Sequence, residues 1–116
     1  MAKFNGFSGP KENWSKLPNE LIDALPIIET MSELKCILYI LRHTWGFHDE
    51  RKKITTDEFM NGRKRKDRTR LDNGTGLSKN SVISGLRSAE EHGFIEVDKD
   101  ERDLARNKKT YTLKMR

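Results

Sequence analysis

Cysteine is all but missing from this chain, with Cys36 its only example. A lone thiol rules out an internal disulfide and leaves no basis for a cysteine metal site, and it fits a reduced, cytosolic setting. Long apolar runs are missing too. None approaches the roughly 20 residues of a membrane span, and no signal peptide precedes the domain, so a soluble protein that stays in the cell, with no membrane partner, is expected. Histidines are few: His43, His48 and His92 share no metal-ligand spacing with one another or with Cys36. His43 and His92 each stand close before a glycine near a helix C-terminus, where an imidazole is expected to interact with the helix end. Gly74 to Lys79 has a superficial likeness to a phosphate loop, but the Gly-x-x-x-x-Gly-Lys spacing is absent, which excludes nucleotide binding there. The Asp and Glu pairs near the C-terminus have no nucleophile or base beside them in sequence. Neither an enzyme nor a cofactor is expected.

What is present is charge. Of 116 residues, 35% are charged and 34% hydrophobic, enough for one domain whose modest core is carried by a few dense segments. The net charge of +5, with a pI near 9.4, suggests a polyanionic partner without identifying it.

The stretch Gly76 to Gly93, GLSKNSVISGLRSAEEHG, organises the rest. Ser78 is a good N-cap, Val82, Ile83, Leu86 and Ala89 recur at helical spacing, and Gly93 stands where a glycine stops the last turn. At about 100° per residue the apolar side chains share one face, leaving Asn80, Ser84, Arg87, Ser88 and Glu91 on the other. That outer face has small polar groups and an arginine in place of a Lys/Glu ladder. Small polar residues let a helix approach a large partner closely, and Asn, Ser and Arg bond to base edges or phosphates. Ser78, Lys79, Asn80, Ser81, Ser84 and Arg87 are therefore the candidate groove-reading residues. The plainer reading is an amphipathic helix with a serine-rich solvent face.

Residues 1–16 form an arm broken by Gly6, Gly9 and Pro10, yet holding Phe4, Phe7 and Trp14, and such aromatics are expected to pin it to the domain, 17–116, with a partner contact or plain disorder as the alternatives. Leu17 to Leu25 reads as a short helix with Leu17, Leu21, Ile22 and Leu25 on one face, cut off by Pro26. Thr30-Met31-Ser32-Glu33 fits a capping box, and Leu34, Ile37, Leu38, Leu41 and Trp45 then follow at core-helix spacing until Gly46. Tyr39 and Ile40 widen that face, giving room for a second buried contact with the arm or with another copy, the arm being favoured. Phe47 to Lys53 is turn-like, Ile54-Thr55 offers a stub of strand, and Thr55 to Glu58 is a second capping box opening a helix that Gly62 ends.

From Arg63 to Leu71 six basic residues (Arg63, Lys64, Arg65, Lys66, Arg68 and Arg70) stand against one acid, Asp67, so the local excess equals that of the whole molecule. Such runs are usually solvated, but this one leads straight into the groove-reading helix, where it could neutralise phosphates. Asp72-Asn73-Gly74 is a turn signal. Phe94 to Asp98 and Thr110 to Met115 alternate as strands joined by a long polar tip, whose basic half holds Arg106, Lys108 and Lys109. A basic wing edge commonly lies along a phosphate backbone or minor groove, and a mobile loop is the alternative.

Helices, a strand stub, a helix and a hairpin make the α+β winged helix-turn-helix order, three to four helices with a small antiparallel sheet that the Ile54 stub joins as third strand. The chain also resembles the N-terminal DNA-binding domain of phage replication protein O-type initiators, and more loosely the winged-helix modules of DnaD-type primosomal proteins. The resemblance rests on Lys16 to Leu21, Glu33-Leu34-Lys35, Leu41-Arg42-His43-Thr44-Trp45-Gly46, Ile54-Thr55, Thr75 to Leu86 and Gly93-Phe94-Ile95. It implies binding of repeated sites in a double-stranded replication origin as a homodimer. It also implies helicase or helicase-loader contacts through a C-terminal region absent here, so a domain fragment or a stand-alone relative is expected. The basic connection is longer than the three or four residues of a helix-turn-helix turn, and no exact base contacts carry over. A winged-helix transcription regulator uses the same parts, and a protein-interaction module of a replisome or primosome is the rival of another class.

Overall fold

The computed structural model describes residues 3–7, 9, 13–98 and 108–115, with the backbone alone for Lys108. Four helices, α1 (Asn19–Asp23), α2 (Met31–His43), α3 (Thr56–Asn61) and α4 (Lys79–Glu91), combine with β1 (Arg51–Thr55), β2 (Ile95–Asp98) and β3 (Lys108–Leu113). The three strands form one antiparallel sheet in the order β1-β3-β2, with Ile54 opposite Lys109 and Val97 opposite Tyr111. The strand at Ile54 does join the hairpin, and it begins earlier than expected, at Arg51. The fold is α+β and compatible with a winged helix-turn-helix.

Helix α2 is the hub. Thr30 Oγ1 accepts the Glu33 N–H at 3.1 Å, but Glu33 does not return the bond as a capping box requires. Its carboxylate takes the Glu29 N–H at 3.2 Å and, with the other oxygen, meets His92 at the end of α4. Cys36, Ile37, Tyr39, Ile40 and Leu41 are buried, while Leu38 lies at the edge. The buried face is turned toward Tyr39 because α2 lies between α4 and the sheet. Tyr39 packs on Phe59 at 5.3 Å and Phe59 on Tyr111 at 5.1 Å, so the second contact is with α3 and β3, neither with the arm nor with another copy. Full burial of Phe59 contributes about 1.5–3 kcal/mol.

Helix α3 starts with a complete capping box: Thr55 Oγ1 accepts the Glu58 N–H at 3.1 Å, and Glu58 Oε1 accepts the Thr55 N–H at 2.9 Å. Helix α1 is shorter than its pattern predicts. It ends at Asp23, and Pro26 then sits inside a 3-10 turn over Leu25–Ile27, where its missing N–H costs nothing. With little more than one turn available, only Leu21 is buried, and Leu17, Ile22 and Leu25 stay exposed. The arm's aromatics are exposed as well, up to 90% for Phe7, and Phe4 and Phe7 meet at a tilt with ring centroids 4.6 Å apart. Ser15 closes on the domain against Gly46, and Trp14 lines a shallow cleft with Trp45 beside it.

Helix α4 is capped by Ser78, whose Oγ accepts the Ser81 N–H at 3.2 Å. It ends at Gly93, φ +83°, where the Gly93 and Phe94 N–H groups return to the carbonyls of Glu90 and Ala89. Its buried face is Val82, Gly85 and Ala89; Ile83, expected inside, is 41% exposed. Gly85 takes that place because a Cβ there would meet the Ser32 carbonyl oxygen at 2.6 Å, so α4 crosses the start of α2 backbone to backbone. No helix among the described residues is long and apolar enough to cross a membrane.

Candidate nucleic-acid interface

The chain from α3 to α4 is far longer than a helix-turn-helix turn, but it is pinched shut at its base. Gly62 (φ +97°) and Gly74 (φ +71°) touch through their backbones: a Cβ on Gly74 would lie 2.5 Å from the Gly62 nitrogen, and one on Gly62 would fall inside the Asp72 carbonyl. Both conformations suit glycine alone. Beyond the neck the Thr75 N–H donates to the Phe59 carbonyl at 2.7 Å and the Gly76 N–H to that of Met60 at 3.2 Å, satisfying the end of α3. In space, then, residues 74–77 join the two helices, which is the expected length for such a turn. Residues 63–73 are an excursion out of it.

That excursion is a folded hairpin. Lys64 bridges Arg70, the Leu71 N–H donates to Arg63 O at 2.9 Å, and the Arg65 N–H donates to Thr69 O at 2.8 Å. The loop is Lys66, Asp67 and Arg68, closed by a bond from the Arg68 N–H to Arg65 O at 2.9 Å, with Arg68 left-handed at φ +71°. Asp67 Oδ1 accepts the Thr69 N–H at 3.0 Å and the Thr69 hydroxyl at 2.6 Å; these bonds hold its carboxyl below the usual carboxylate range.

The six basic residues divide into two sets. Arg63 pairs with Glu58 at 2.9 Å, Arg65 donates to Arg70 O at 2.9 Å, and Arg70 donates to Asn61 O. Those three help to hold the hairpin together, a structural role that the charge run itself did not announce. Lys64, Lys66 and Arg68 are exposed, with no side-chain partner among the described residues.

The base of the hairpin is fastened to the end of α2. Arg42 Nη2 donates to Leu71 O at 3.3 Å, and His43 Nε2 lies 2.8 Å from Asp72 Oδ2, while Asp72 Oδ1 accepts the Gly74 N–H at 2.8 Å. Burial holds His43 below its ordinary value, and the Asp72 carboxylate only partly offsets this, so the ring is neutral and donates from Nε2. Thr44 bonds back to Ile40 O at 2.8 Å, and Gly46 leaves room for Ser15. The Arg-His-Thr-Trp-Gly segment is thus a socket, and His43 serves a cross-element pair, not its own helix end. His92 does the same: Nδ1 lies 2.6 Å from Glu33 Oε2 and Nε2 3.3 Å from Glu29 Oε1.

On α4, Lys79, Asn80, Ser84 and Arg87 are exposed and without a partner among the described residues. Ser78 and Ser81 are committed to the cap, the Ser78 hydroxyl donating to Ser81 Oγ at 3.1 Å. Lys35, which sequence reasoning did not propose, reaches the Thr75 carbonyl at 3.4 Å from α2. Arg106 and the side chain of Lys108 lie outside the described residues. Lys109 is half-buried in the central strand β3, which takes up residues assigned to the loop. Among the described residues no cluster of His, Cys, Asp and Glu could hold a metal ion. The chain matches no protein-family model, no curated protein and no solved structure.

Proposed function

We propose that the chain is the duplex-binding module of a DNA replication initiator, a binding domain and not an enzyme. Helix α4 acts as the recognition helix of a winged helix-turn-helix. The observation that carries this reading is the outer face of α4: Lys79, Asn80, Ser84 and Arg87 stand free on a helix that follows a closed turn. A helix about 10–12 Å across fits the roughly 12 Å major groove, where Asn reads adenine and Arg reads guanine, each at about 1–3 kcal/mol of discrimination. The initiator part rests on the resemblance, with origin binding as a homodimer and helicase or helicase-loader contacts through a further region.

Selection of bound duplexes from a random pool tests the reading. A recovered motif whose positions relax one at a time with Asn80→Ala and Arg87→Ala supports groove reading, and iterated half-sites at fixed spacing support the initiator. A single operator-like site supports a transcription regulator instead. Recovery of no duplex at low salt leaves a protein-interaction module.

A further inference from the structure

We infer that the hairpin of residues 63–71 is a second wing that grips phosphates through Lys64, Lys66 and Arg68. The inference rests on the duplex-binding reading. It goes beyond a basic run by assigning which charges act outward, and through what geometry.

The loop conformation is the first support. A three-residue hairpin loop of this kind ends in a left-handed residue, and glycine is the residue that position favours. Here it is Arg68, at φ +71°, with its side chain in solvent and no partner among the described residues. A non-glycine residue in this region is under strain, and such strain persists where the side chain has work to do. No described residue uses this guanidinium, which leaves it available to an outside anion.

The second support is the division of the arginines. Arg63, Arg65 and Arg70 are spent on Glu58, on the Arg70 carbonyl and on the Asn61 carbonyl, and Arg42 and His43 hold the base at Leu71 and Asp72. A solvated charge run would have no such scaffolding. The hairpin holds the backbone that carries its outward charges, so only side-chain ordering, and no backbone ordering, opposes contact.

The third is reach. The neck closes at Gly74, four residues before Ser78, and four extended residues span at most about 14 Å. The hairpin therefore emerges no more than about one groove width from the start of α4. Phosphates flanking the groove entered by α4 are the polyanion within its range. Asp67 lies in the same loop and opposes the attraction, and its bonds to Thr69 explain why the turn keeps an acid there.

The test is binding of a random-sequence duplex by the full chain, followed by fluorescence anisotropy over a salt series, with thermal midpoints measured alongside. Arg68→Gly removes charge while giving the turn its favoured residue, so the midpoint is expected to hold or rise. Each phosphate contact carries a salt slope of about 0.9, so Arg68→Gly should lower the slope by about 0.9 and Lys64→Ala/Lys66→Ala/Arg68→Gly by about 2.7. Asp67→Asn keeps the Oδ1 acceptor and removes the opposing charge, and should tighten binding severalfold at low salt. Unchanged slopes in both glycine variants, with the unaltered chain binding in a salt-dependent way, overturn the second wing and leave the role of α4 standing. No binding by the unaltered chain removes both.

Discussion

His43 Nε2 lies 2.8 Å from Asp72 Oδ2, and the two side chains are closed to water, 0% and 2% exposed. This contact ties the end of α2 to the neck from which the basic hairpin leaves. Asp72 also accepts the Gly74 N–H, and each bond to a charged acceptor is worth about 1.5–3 kcal/mol. Asp72→Ala should therefore lose about 3 kcal/mol, read as a lower urea midpoint with unchanged slope; a loss within error of zero would show that the neck stands without it.

The same histidine sets an acid limit. Burial lowers its pKa in the fold, so the unfolded chain binds more protons as pH falls through the ordinary value near 6.5. Stability is intact above that pH and declines below it. Because His92 acts in the opposite direction in both proteins, the readout is the difference: lowering the pH from 7.5 to 5.5 should cost the native chain more of its thermal midpoint than it costs His43→Gln. An equally steep fall in the variant would place the acid limit elsewhere.

His92 carries the opposite sign. Its hydrogen bond to Glu33, with the charges of Glu33 and Glu29, raises its pKa against the effect of desolvation. Its contribution is complete below the unfolded value near 6.5 and fades as pH rises through the raised folded value. The midpoint difference between the native chain and His92→Gln should be largest below pH 6.5 and shrink as the pH rises above it. A difference that grows with pH would contradict the pairing seen here.

What could be read in the sequence was local. The Thr55–Glu58 capping box, the Ser78 cap, the Gly93 stop and the strand at Ile54 all depend on partners within a few residues or on simple alternation, and all are present. Bonds between distant residues were not legible. The Glu33 carboxylate keeps one oxygen on the Glu29 N–H beside its helix start and turns the other to His92, 59 positions away, and His43 turns from its helix end to Asp72, 29 positions away. Charge density hid the folded hairpin, because backbone bonds at Arg65, Arg68 and Leu71 close it and composition does not report them. The outer face of α4 was legible because an amphipathic period states which side a helix leaves to solvent. Gly85 was the missed signal, a small residue midway between Val82 and Ala89.

Gly85→Ala tests that crossing. Alanine improves helix propensity by about 0.5–1 kcal/mol, but its Cβ would stand 2.6 Å from the Ser32 carbonyl, where only backbone can give way. Overpacking of this kind costs about 1–3 kcal/mol and should prevail. The urea midpoint is expected to drop, and a rise would mean that the helices part freely.

Gly62 and Gly76 allow the neck to be separated from simple backbone strain. Both glycines have positive φ, +97° and +74°, and alanine in such a conformation costs about 1–3 kcal/mol. Nothing lies within 4 Å of a Cβ on Gly76, whereas one on Gly62 overlaps the Asp72 carbonyl. Gly76→Ala should therefore lose stability through strain alone, while Gly62→Ala adds a clash relieved only by prising α3 and the Asp72 turn apart. That opening shifts α4 relative to the hairpin, so Gly62→Ala should weaken binding to the selected duplex more than tenfold beyond Gly76→Ala. Thermal midpoints and anisotropy on both variants decide it. Equal losses in stability and in sequence-specific affinity would mean that the pinched neck does not set the position of the recognition helix.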